Sequence, residues 1–490
     1  MRWRLLTGAS VALTWLAAGE LRADTDPAYW QWAQRPPMGW NSWDCFGTTV
    51  TEAQAKAEAD YMAKNLKSHG WQYIVVDIQW FEAGNKAGRM SQQSYPANDF
   101  LKPPEQRRYR GKAVYSMDAH GRFLPAPNRF PSAANGAGFK PLADYVHSLG
   151  LKFGIHFLRG IPRLAVAQNT TIPGTNYHAA DIADENSTCP WNPDMYGVDM
   201  TKPGAQAYYN SLYDLFASWG VDFVKVDDIS ARTYQQPEIE AIRRAIDQTG
   251  RPMVLSLSPG ATPLASGENV ERNANMWRVS DDFWDRWQSL YEQFKRLRDW
   301  TPYRGPGHFP DGDMLPLGII AAQKPTKFTQ DEQYTLMTLW CIARSPLIHG
   351  GDMTKMDDFT LSLLTNDEVL AVDQNSTGNR ELFNQNGLIA WVADVPGTAD
   401  KYVAVFNTRD KAPLPPDSIA TSAGGDVVPV NLASIGFTGP VNVRDLWRHY
   451  DIGRRDGAFN PMVSWHGAEI YRISPVKVAA SAVIPGRRGG

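Results

Sequence analysis

Apolar runs of strand length alternate with stretches of helical periodicity between residues 37 and 351. This alternation is typical of a mostly parallel sheet with helices on its outside. Helices are predicted at 52–68, at 203–219 with Pro203 in the first turn, and at 329–342. The predicted strands are residues 38–43, 73–80, 151–157, 221–228, 252–258, 275–282, 309–315 and 345–350. Eight strands separated by helices predict an α/β fold, a (β/α)8 TIM barrel, over residues 30–373.

The pattern changes after residue 373, where short segments of alternating polarity are separated by turn residues. Segments 388–392, 402–406 and 469–473 are examples. Residues 374–476 are therefore predicted to form an antiparallel β domain, and residues 477–490 a tail without regular structure. Residues 84–131 have no sustained periodicity and predict a long loop on the face where a barrel builds its substrate site.

The N-terminus has the pattern of a secretory signal peptide. Arg2 and Arg4 precede an apolar stretch, and small residues lead into the acidic segment that begins at Asp24. Residues 1–23 are predicted to be the signal, which makes the mature protein periplasmic or secreted; an ordinary N-terminal helix is the alternative. No later segment has the roughly 18 continuous apolar residues that a membrane span requires.

The composition of the chain indicates which partners and cofactors to expect. A formal net charge of −3 on 490 residues gives no bulk attraction to nucleic acid. The three cysteines, Cys45, Cys189 and Cys341, predict no disulfide framework, because an odd number leaves at least one thiol free. Cys341 lies in an apolar run and is predicted to be a core thiol. The nine histidines lack a zinc-binding spacing, so no catalytic metal is expected.

Two predicted strands end in adjacent aspartates, Asp227-Asp228 and Asp281-Asp282. Strand ends converge on one face of a barrel, so these carboxylates are expected to lie near each other. A retaining glycosidase needs one carboxylate to attack the anomeric carbon and a second carboxyl group to protonate the leaving oxygen. Asp227 is the candidate nucleophile and Asp282 the candidate acid/base, with helix capping as the alternative role for a strand-end aspartate.

Basic and aromatic residues accompany these aspartates. Lys225 lies two positions before Asp227 on the same strand face, where its charge would keep the carboxylate ionised. Arg278 lies four positions before Asp282 and is expected to clamp a sugar hydroxyl. Of the 18 tryptophans, five lie near predicted strand ends as candidates for stacking on a sugar: Trp40, Trp43, Trp80, Trp277 and Trp284.

Five segments together resemble, in order, the motifs of glycoside hydrolase family 27, the α-galactosidase and α-N-acetylgalactosaminidase family. They are PMGWNSW at 37–43, YIVVD at 73–77, KVD at 225–227, WR at 277–278 with Asp282, and PDGDM at 310–314. The resemblance spans residues 36–475. It implies a (β/α)8 barrel with a C-terminal antiparallel β-sandwich, retaining chemistry, and no metal or organic cofactor.

The resemblance also implies roles for individual residues. Asp227 matches the nucleophile and Asp282 the acid/base, with Asp281 as a close competitor. Asp77 matches an aspartate that binds a galactose hydroxyl, and Trp43 matches an aromatic wall of the pocket. The positions of Lys225 and Arg278 match further sugar-binding residues.

Three of the departures from the α-galactosidase pattern concern candidate contacts with the substrate. Ile78 replaces the second of two adjacent aspartates, and an aliphatic group cannot accept a hydrogen bond from the O4/O6 side of the sugar. His156 replaces an aromatic hydroxyl at the end of the third strand. Ser258 resembles the small residue that makes room at O2 in N-acetylgalactosaminidases. All three are candidates for contacts with the substrate.

The predicted function is a retaining exo-glycosidase that hydrolyses terminal α-D-galactosyl residues of oligo- or polysaccharides. Ile78 favours an alternative within the same chemistry, a β-L-arabinopyranosidase, whose substrate is galactose-like but lacks C6. An α-N-acetylgalactosaminidase and an α-glucan-acting enzyme are further alternatives. An inactive barrel that binds carbohydrate is the non-enzyme alternative. We expect no nucleic-acid partner, no membrane span and no cofactor, and a homo-oligomer stays open.

Overall fold

The computed structural model describes residues 26–84, 115–192, 194–231, 233–410 and 424–476. The predicted signal peptide at 1–23 and the predicted tail at 477–490 lie outside the described residues. Most of the predicted loop at 84–131 also lies outside them.

Eight parallel strands form one sheet, and their spatial order follows their order in the chain. The strands β1 to β8 are Met38–Asn41, Tyr73–Val76, Lys152–Leu158, Phe223–Asp227, Val254–Leu257, Met276–Arg278, Phe309–Asp311 and Leu347–His349. β8 pairs in parallel with β1, and Leu315, just after β7, forms a parallel bridge with His349 of β8. The sheet therefore closes, and the predicted barrel is confirmed.

Most observed strands stop earlier than the sequence predicts. β2 ends at Val76 rather than at residue 80, and β6 ends at Arg278 rather than at residue 282. The residues beyond these ends leave the sheet for loops at the C-terminal face of the barrel. The polar residues of the predicted site therefore lie on these loops and at the strand ends, where a barrel places its chemistry.

The α-helices of the described residues are labelled α1 to α12: Trp43–Phe46, Glu52–Asn65, Lys140–Ser148, Arg163–Gln168, Ala179–Ile182, Ala205–Ser218, Gln236–Gln248, Gly267–Glu271, Trp287–Asp299, Gln330–Ala343, Asp358–Leu364 and Asp367–Asn375. The three predicted helices correspond to α2, α6 and α10. Thr51 and Thr329 begin α2 and α10 with capping boxes. The placement of Pro203 in the first turn of α6 is wrong, because Gly204 with φ 93° is the N-cap and the helix begins after it.

A six-stranded antiparallel sheet follows the barrel. Its strands β9 to β14 are Thr377–Gln385, Leu388–Asp394, Lys401–Asn407, Val441–Asp445, Tyr450–Arg455 and Ala468–Pro475. Alternate residues of β10 face opposite ways: Trp391 packs in the core shared with the barrel, and Val392 packs in a second core. The second core also contains residues of two short antiparallel pairs, 425–427 with 462–464 and 430–431 with 458–459. This two-layer arrangement is the predicted β-sandwich.

The remaining short strands lie in the loops of the barrel: Ile161–Pro162, Ala183–Thr188, Met195–Val198, Ile319–Ile320 and Lys324–Pro325. Cys45, Cys189 and Cys341 are buried free thiols, and Cys341 lies in α10 within the core, as predicted. Within the described ranges, no helix is both long and apolar enough to cross a bilayer.

Arg129 joins the loops that follow β1 and β2. It is 5% exposed, and its guanidinium group donates hydrogen bonds to four backbone carbonyl oxygens. These acceptors are Thr48, Val50, Gln79 and Glu82, at 2.7–3.0 Å. The two loops flank the residues predicted to bind the sugar, so one buried cation fixes the spacing between them.

We expect Arg129→Lys to lower the free energy of unfolding by about 2–4 kcal/mol, because an ammonium group cannot reach four carbonyl groups in a planar fork. Urea-induced unfolding measures the change. Arg296→Lys is the matched control, since Arg296 forms an exposed ion pair with Glu292 within α9 and should change stability by less than about 0.5 kcal/mol. Equal effects of the two substitutions would contradict the role given to Arg129.

Candidate active site

A cavity of about 490 Å³ opens at the C-terminal ends of the barrel strands. Seven of the nine predicted site residues line it: Trp43, Asp77, Ile78, Lys225, Asp227, Arg278 and Asp282. His156 and Ser258 do not line it. The cavity therefore brings together both candidate catalytic aspartates and most of the candidate sugar-binding residues.

Asp227 is the last residue of β4 and is 6% exposed. Burial alone would raise the pKa of its carboxyl group. The charge of Lys225, together with His156 Nε2 at 2.9 Å from Asp227 Oδ2, outweighs burial and holds the pKa of Asp227 below its usual range. Asp227 is therefore ionised at neutral pH, which is the state a nucleophile needs.

His156 and Ser258 lie behind Asp227 instead of facing the cavity. His156 is fully buried on β3, and its Nε2 is 2.9 Å from Asp227 Oδ2. Ser258 follows β5, is 1% exposed, and accepts a 3.4 Å hydrogen bond from Arg278. These two side chains contact the candidate nucleophile and its neighbour Arg278, and their contact with the sugar stays a prediction. The sequence places both at strand ends but does not show which side of Asp227 they occupy.

Asp77 and Lys225 form a buried ion pair across the barrel, with Lys225 Nζ 2.9 Å from Asp77 Oδ2. Asn41 Nδ2 donates to the same oxygen at 2.8 Å, and the Ile78 amide donates to Oδ1 at 2.8 Å. Burial lowers the pKa of Lys225, but Asp77 and Asp227 raise it by more, so the pKa lies above its usual range and Lys225 stays charged. The charge of Lys225 thus stabilises the ionised forms of both Asp77 and Asp227.

Arg278 connects Asp282 with Asp313, a residue for which the sequence indicated no role. Its guanidinium nitrogen is 2.8 Å from Asp313 Oδ2 and 3.3 Å from Asp282 Oδ1. The Asp282 side chain is 59% exposed, whereas that of Asp313 is 5% exposed. Asp282 is therefore accessible to water, as an acid/base that exchanges a proton must be. The buried Asp313 holds the Arg278 guanidinium group in position through their ion pair.

Asp313 lies in the PDGDM segment and has a left-handed backbone, with φ 91°. This conformation is uncommon for a residue with a side chain. Its carbonyl oxygen accepts a hydrogen bond from the Trp340 indole in α10. Burial raises the pKa of Asp313 to about 7, and Arg278 opposes this rise. The motif itself was the available signal for Asp313, since its strand-end position resembles those of Asp227 and Asp282.

The five candidate tryptophans divide into two groups. Trp40, Trp80 and Trp277 are fully buried core residues, so their predicted stacking on a sugar is wrong. The indoles of Trp40 and Trp80 donate to backbone carbonyl groups. Trp43 and Trp284 line the cavity. Trp191, which is 40% exposed, also lines it and was not a sequence candidate.

Asp281 and Asp282 both line the cavity, but their side chains lie differently. Asp282 contacts Arg278, whereas Asp281 Oδ1 lies near Gly260, 2.9 Å from the position a Cβ would take there. Across the described residues, no group of His, Cys, Asp and Glu has a geometry that could hold a metal ion. The arrangement supplies one buried ionised carboxylate and one exposed carboxyl group beside a cavity large enough to admit a monosaccharide.

Comparisons with known proteins agree with this geometry. The family described as "Alpha galactosidase A" matches residues 197–375, and "Alpha galactosidase C-terminal beta sandwich domain" matches residues 385–473. The structure of a GH27 β-L-arabinopyranosidase from Geobacillus stearothermophilus is 49% identical, with a TM-score of 0.83, and the match covers 92% of this chain and 99% of that one.

Curated relatives are more distant. An α-galactosidase of Cyamopsis tetragonoloba is 27% identical over 90% of this chain and 87% of its own length. An α-N-acetylgalactosaminidase of Gallus gallus is 27% identical over 71% of this chain and 72% of its own length.

The barrel, the cavity with its two types of carboxyl group and these similarities define a glycoside hydrolase of the α-galactosidase type. The chain belongs to glycoside hydrolase family 27.

We expect Lys225→Met to move the acid limb of the kcat/KM profile to higher pH by about 1–3 units. The ionised form of Asp227 loses the charge that lowers its pKa most, so its pKa rises toward the ordinary value. Initial rates measured across the pH range test this. Lys140→Met is the control, because Lys140 forms an exposed pair with Asp144 in α3. An acid limb that stays in place in Lys225→Met would show that Lys225 does not set the pKa of Asp227.

Proposed function

We propose that this enzyme is a retaining exo-glycosidase that prefers terminal β-L-arabinopyranosyl residues over α-D-galactosyl residues. The observation that carries the sugar preference is Ile78, which is 1% exposed and lines the cavity beside Asp77. α-Galactosidase activity is the second candidate, supported by the curated relatives at 27–28% identity.

In the proposed reaction, Asp227 attacks the anomeric carbon while the bond to the leaving oxygen breaks. Asp282 gives its proton to that oxygen. The glycosyl ester on Asp227 is then attacked by water, from which Asp282 takes a proton, and the sugar leaves with its configuration retained. The low pKa of Asp227 and the exposure of Asp282 support this division of roles.

The sugar preference follows from the chemistry of the C5 substituent. Galactose carries a hydroxymethyl group at C5, and arabinopyranose carries only hydrogen. A hydroxyl group held against an aliphatic side chain loses its hydrogen bonds to water without replacement, which costs roughly 1–3 kcal/mol. Ile78 therefore disfavours galactose and contacts arabinopyranose without this cost. The 49% identity to a β-L-arabinopyranosidase supports the same preference.

We also propose that residues 1–23 direct export, so that the mature enzyme acts in the periplasm or outside the cell on an oligo- or polysaccharide. The basic start and the apolar stretch at 5–19 support this proposal. Mass spectrometry of the protein recovered from the medium or periplasm would identify the new N-terminus, and an uncleaved protein retained in the cytoplasm would contradict export.

We expect Ile78→Asp to shift the ratio of kcat/KM values for 4-nitrophenyl α-D-galactoside and β-L-arabinopyranoside toward the galactoside by roughly 10- to 100-fold. The new carboxylate accepts a hydrogen bond from the galactose hydroxymethyl group, which the arabinoside lacks. Ile78→Val is the control, since it keeps the apolar surface. The proposal fails if the native enzyme prefers the galactoside, or if Ile78→Asp leaves the ratio unchanged.

A second test assigns the acid/base. We expect Asp282→Asn to reduce kcat/KM on a disaccharide by about 10²- to 10⁴-fold. The loss on a 2,4-dinitrophenyl glycoside should be much smaller, because that leaving group needs no proton. Azide, which needs no general base, should restore turnover of the dinitrophenyl substrate. Asp281→Asn serves as the comparison. If Asp281→Asn shows this signature instead, the two adjacent aspartates exchange roles.

A further inference from the structure

Asp44 is a buried carboxyl group at the cavity that has no partner among the residues the structure describes. It lies in α1, one residue after Trp43, and it lines the cavity although only 1% of its surface is exposed. Among the described residues, its carboxyl group forms no hydrogen bond and no ion pair, and Oδ2 is fully buried. Leaving a buried polar group unpaired costs free energy. A group that arrives with the ligand would satisfy it.

The charged groups around Asp44 come from four other elements: Asp77 after β2, Lys225 on β4, Asp282 after β6 and Asp313 after β7. Lys225 is the one cation in this set, and its ammonium group is bonded to Asp77. Burial, followed by repulsion from Asp313, raises the pKa of Asp44 well above its usual range. This shift favours the protonated form of Asp44, and a protonated carboxyl group offers one O–H donor as well as acceptor oxygens.

The backbone makes room for this carboxyl group at Gly350, directly after β8. A Cβ at position 350 would lie 2.1 Å from Asp44 Oδ2 and 2.6 Å from its Cγ. Any residue other than glycine would have to displace the carboxyl group. The segments that follow β1 and β8 thus pack closely together at Asp44.

We propose that Asp44 is a substrate-binding residue whose carboxyl group donates a hydrogen bond to a ring hydroxyl of the bound pyranose. The ionised carboxylates of the cavity can only accept, so a sugar hydroxyl that needs a donor finds one here. The inference rests on the proposed function only in requiring a pyranose substrate. β-L-Arabinopyranose and α-D-galactose share their hydroxyl groups at C2, C3 and C4, so it holds for either sugar.

The test compares Asp44→Leu and Asp44→Asn with the native enzyme on both 4-nitrophenyl glycosides. Leucine keeps the size but removes the hydrogen bond, and we expect kcat/KM to fall about 10- to 100-fold on both substrates. The melting temperature should stay the same or rise, because an unpaired buried polar group is removed. Asparagine keeps an N–H donor that cannot ionise, so Asp44→Asn should remain within about tenfold of the native enzyme.

Three results would overturn the inference: undiminished kcat/KM in Asp44→Leu, a melting temperature lowered by several degrees in that variant, or a loss in Asp44→Asn as large as in Asp44→Leu. A substrate series lacking the hydroxyl at C2, C3 or C4 adds a readout that folding defects do not reproduce. If Asp44 binds one of these hydroxyl groups, the substrate that lacks it should have a lower kcat/KM than the full substrate with the native enzyme. With Asp44→Leu or Asp44→Ala, the two substrates should have the same kcat/KM. Equal effects of each deletion in all forms would also overturn it.

The two proposals fail separately. A native enzyme that prefers the galactoside contradicts the sugar preference but leaves the Asp44 comparison intact, because both substrates carry the ring hydroxyls. A ratio of variant to native kcat/KM near one on both substrates contradicts the role of Asp44 and leaves the sugar preference untouched.

Discussion

Buried carboxyl groups outnumber the cations at the C-terminal end of the barrel. The chemistry of the site therefore depends on which of these carboxyl groups are ionised. Of the described residues there, five buried aspartates surround two cations, Lys225 and Arg278: Asp44, Asp77, Asp227, Asp311 and Asp313. Charge without a partner is costly in such an environment. The two cations therefore decide which carboxyl groups ionise. The pKa falls for Asp227 and rises for Asp44, Asp311 and Asp313.

The barrel makes this distribution of charge specific. Lys225 on β4 extends to Asp77 after β2, and Arg278 on β6 extends to Asp313 after β7. Each cation is paired with a carboxyl group that follows another strand, and these pairs fix the positions of the two cations. The helix α10 supports the second pair, because Trp340 bonds the backbone of Asp313. The fold thus gives two chemically identical side chains, Asp227 and Asp282, different environments and different proposed roles.

The sequence predicts the architecture well because the barrel follows from local patterns. Apolar runs locate all eight strands, and the aspartates at their ends locate the cavity. Side-chain contacts between neighbouring strands cannot be predicted in this way. The sequence does not show that His156 faces Asp227 or that Ser258 lies beneath Arg278, because each contact depends on the register of neighbouring strands. Trp277 has the same strand-end position as a sugar-stacking residue, yet its ring points into the core.

Asp44 and Asp313 were missed for a related reason. Asp313 lies within a family motif and Asp44 directly follows one, but a motif does not reveal whether a carboxyl group is paired. Asp313 is recognised only through its bond to Arg278, and Asp44 only through the absence of any bond to a described residue. The role of Gly350 is not visible in the sequence either. It depends on a distance in the structure, because a Cβ at position 350 would lie only 2.1 Å from Asp44 Oδ2.

We infer that Asp227, ionised by its neighbours, forms the covalent glycosyl intermediate. The most direct measurement is mass spectrometry of peptides from enzyme inactivated with a fluorinated glycosyl fluoride of the preferred sugar, whose second fluorine slows hydrolysis of the ester. We expect fluoride to leave and the sugar to be attached to the peptide that contains Asp227. A label on another carboxyl group, or inactivation without a covalent label, would contradict it.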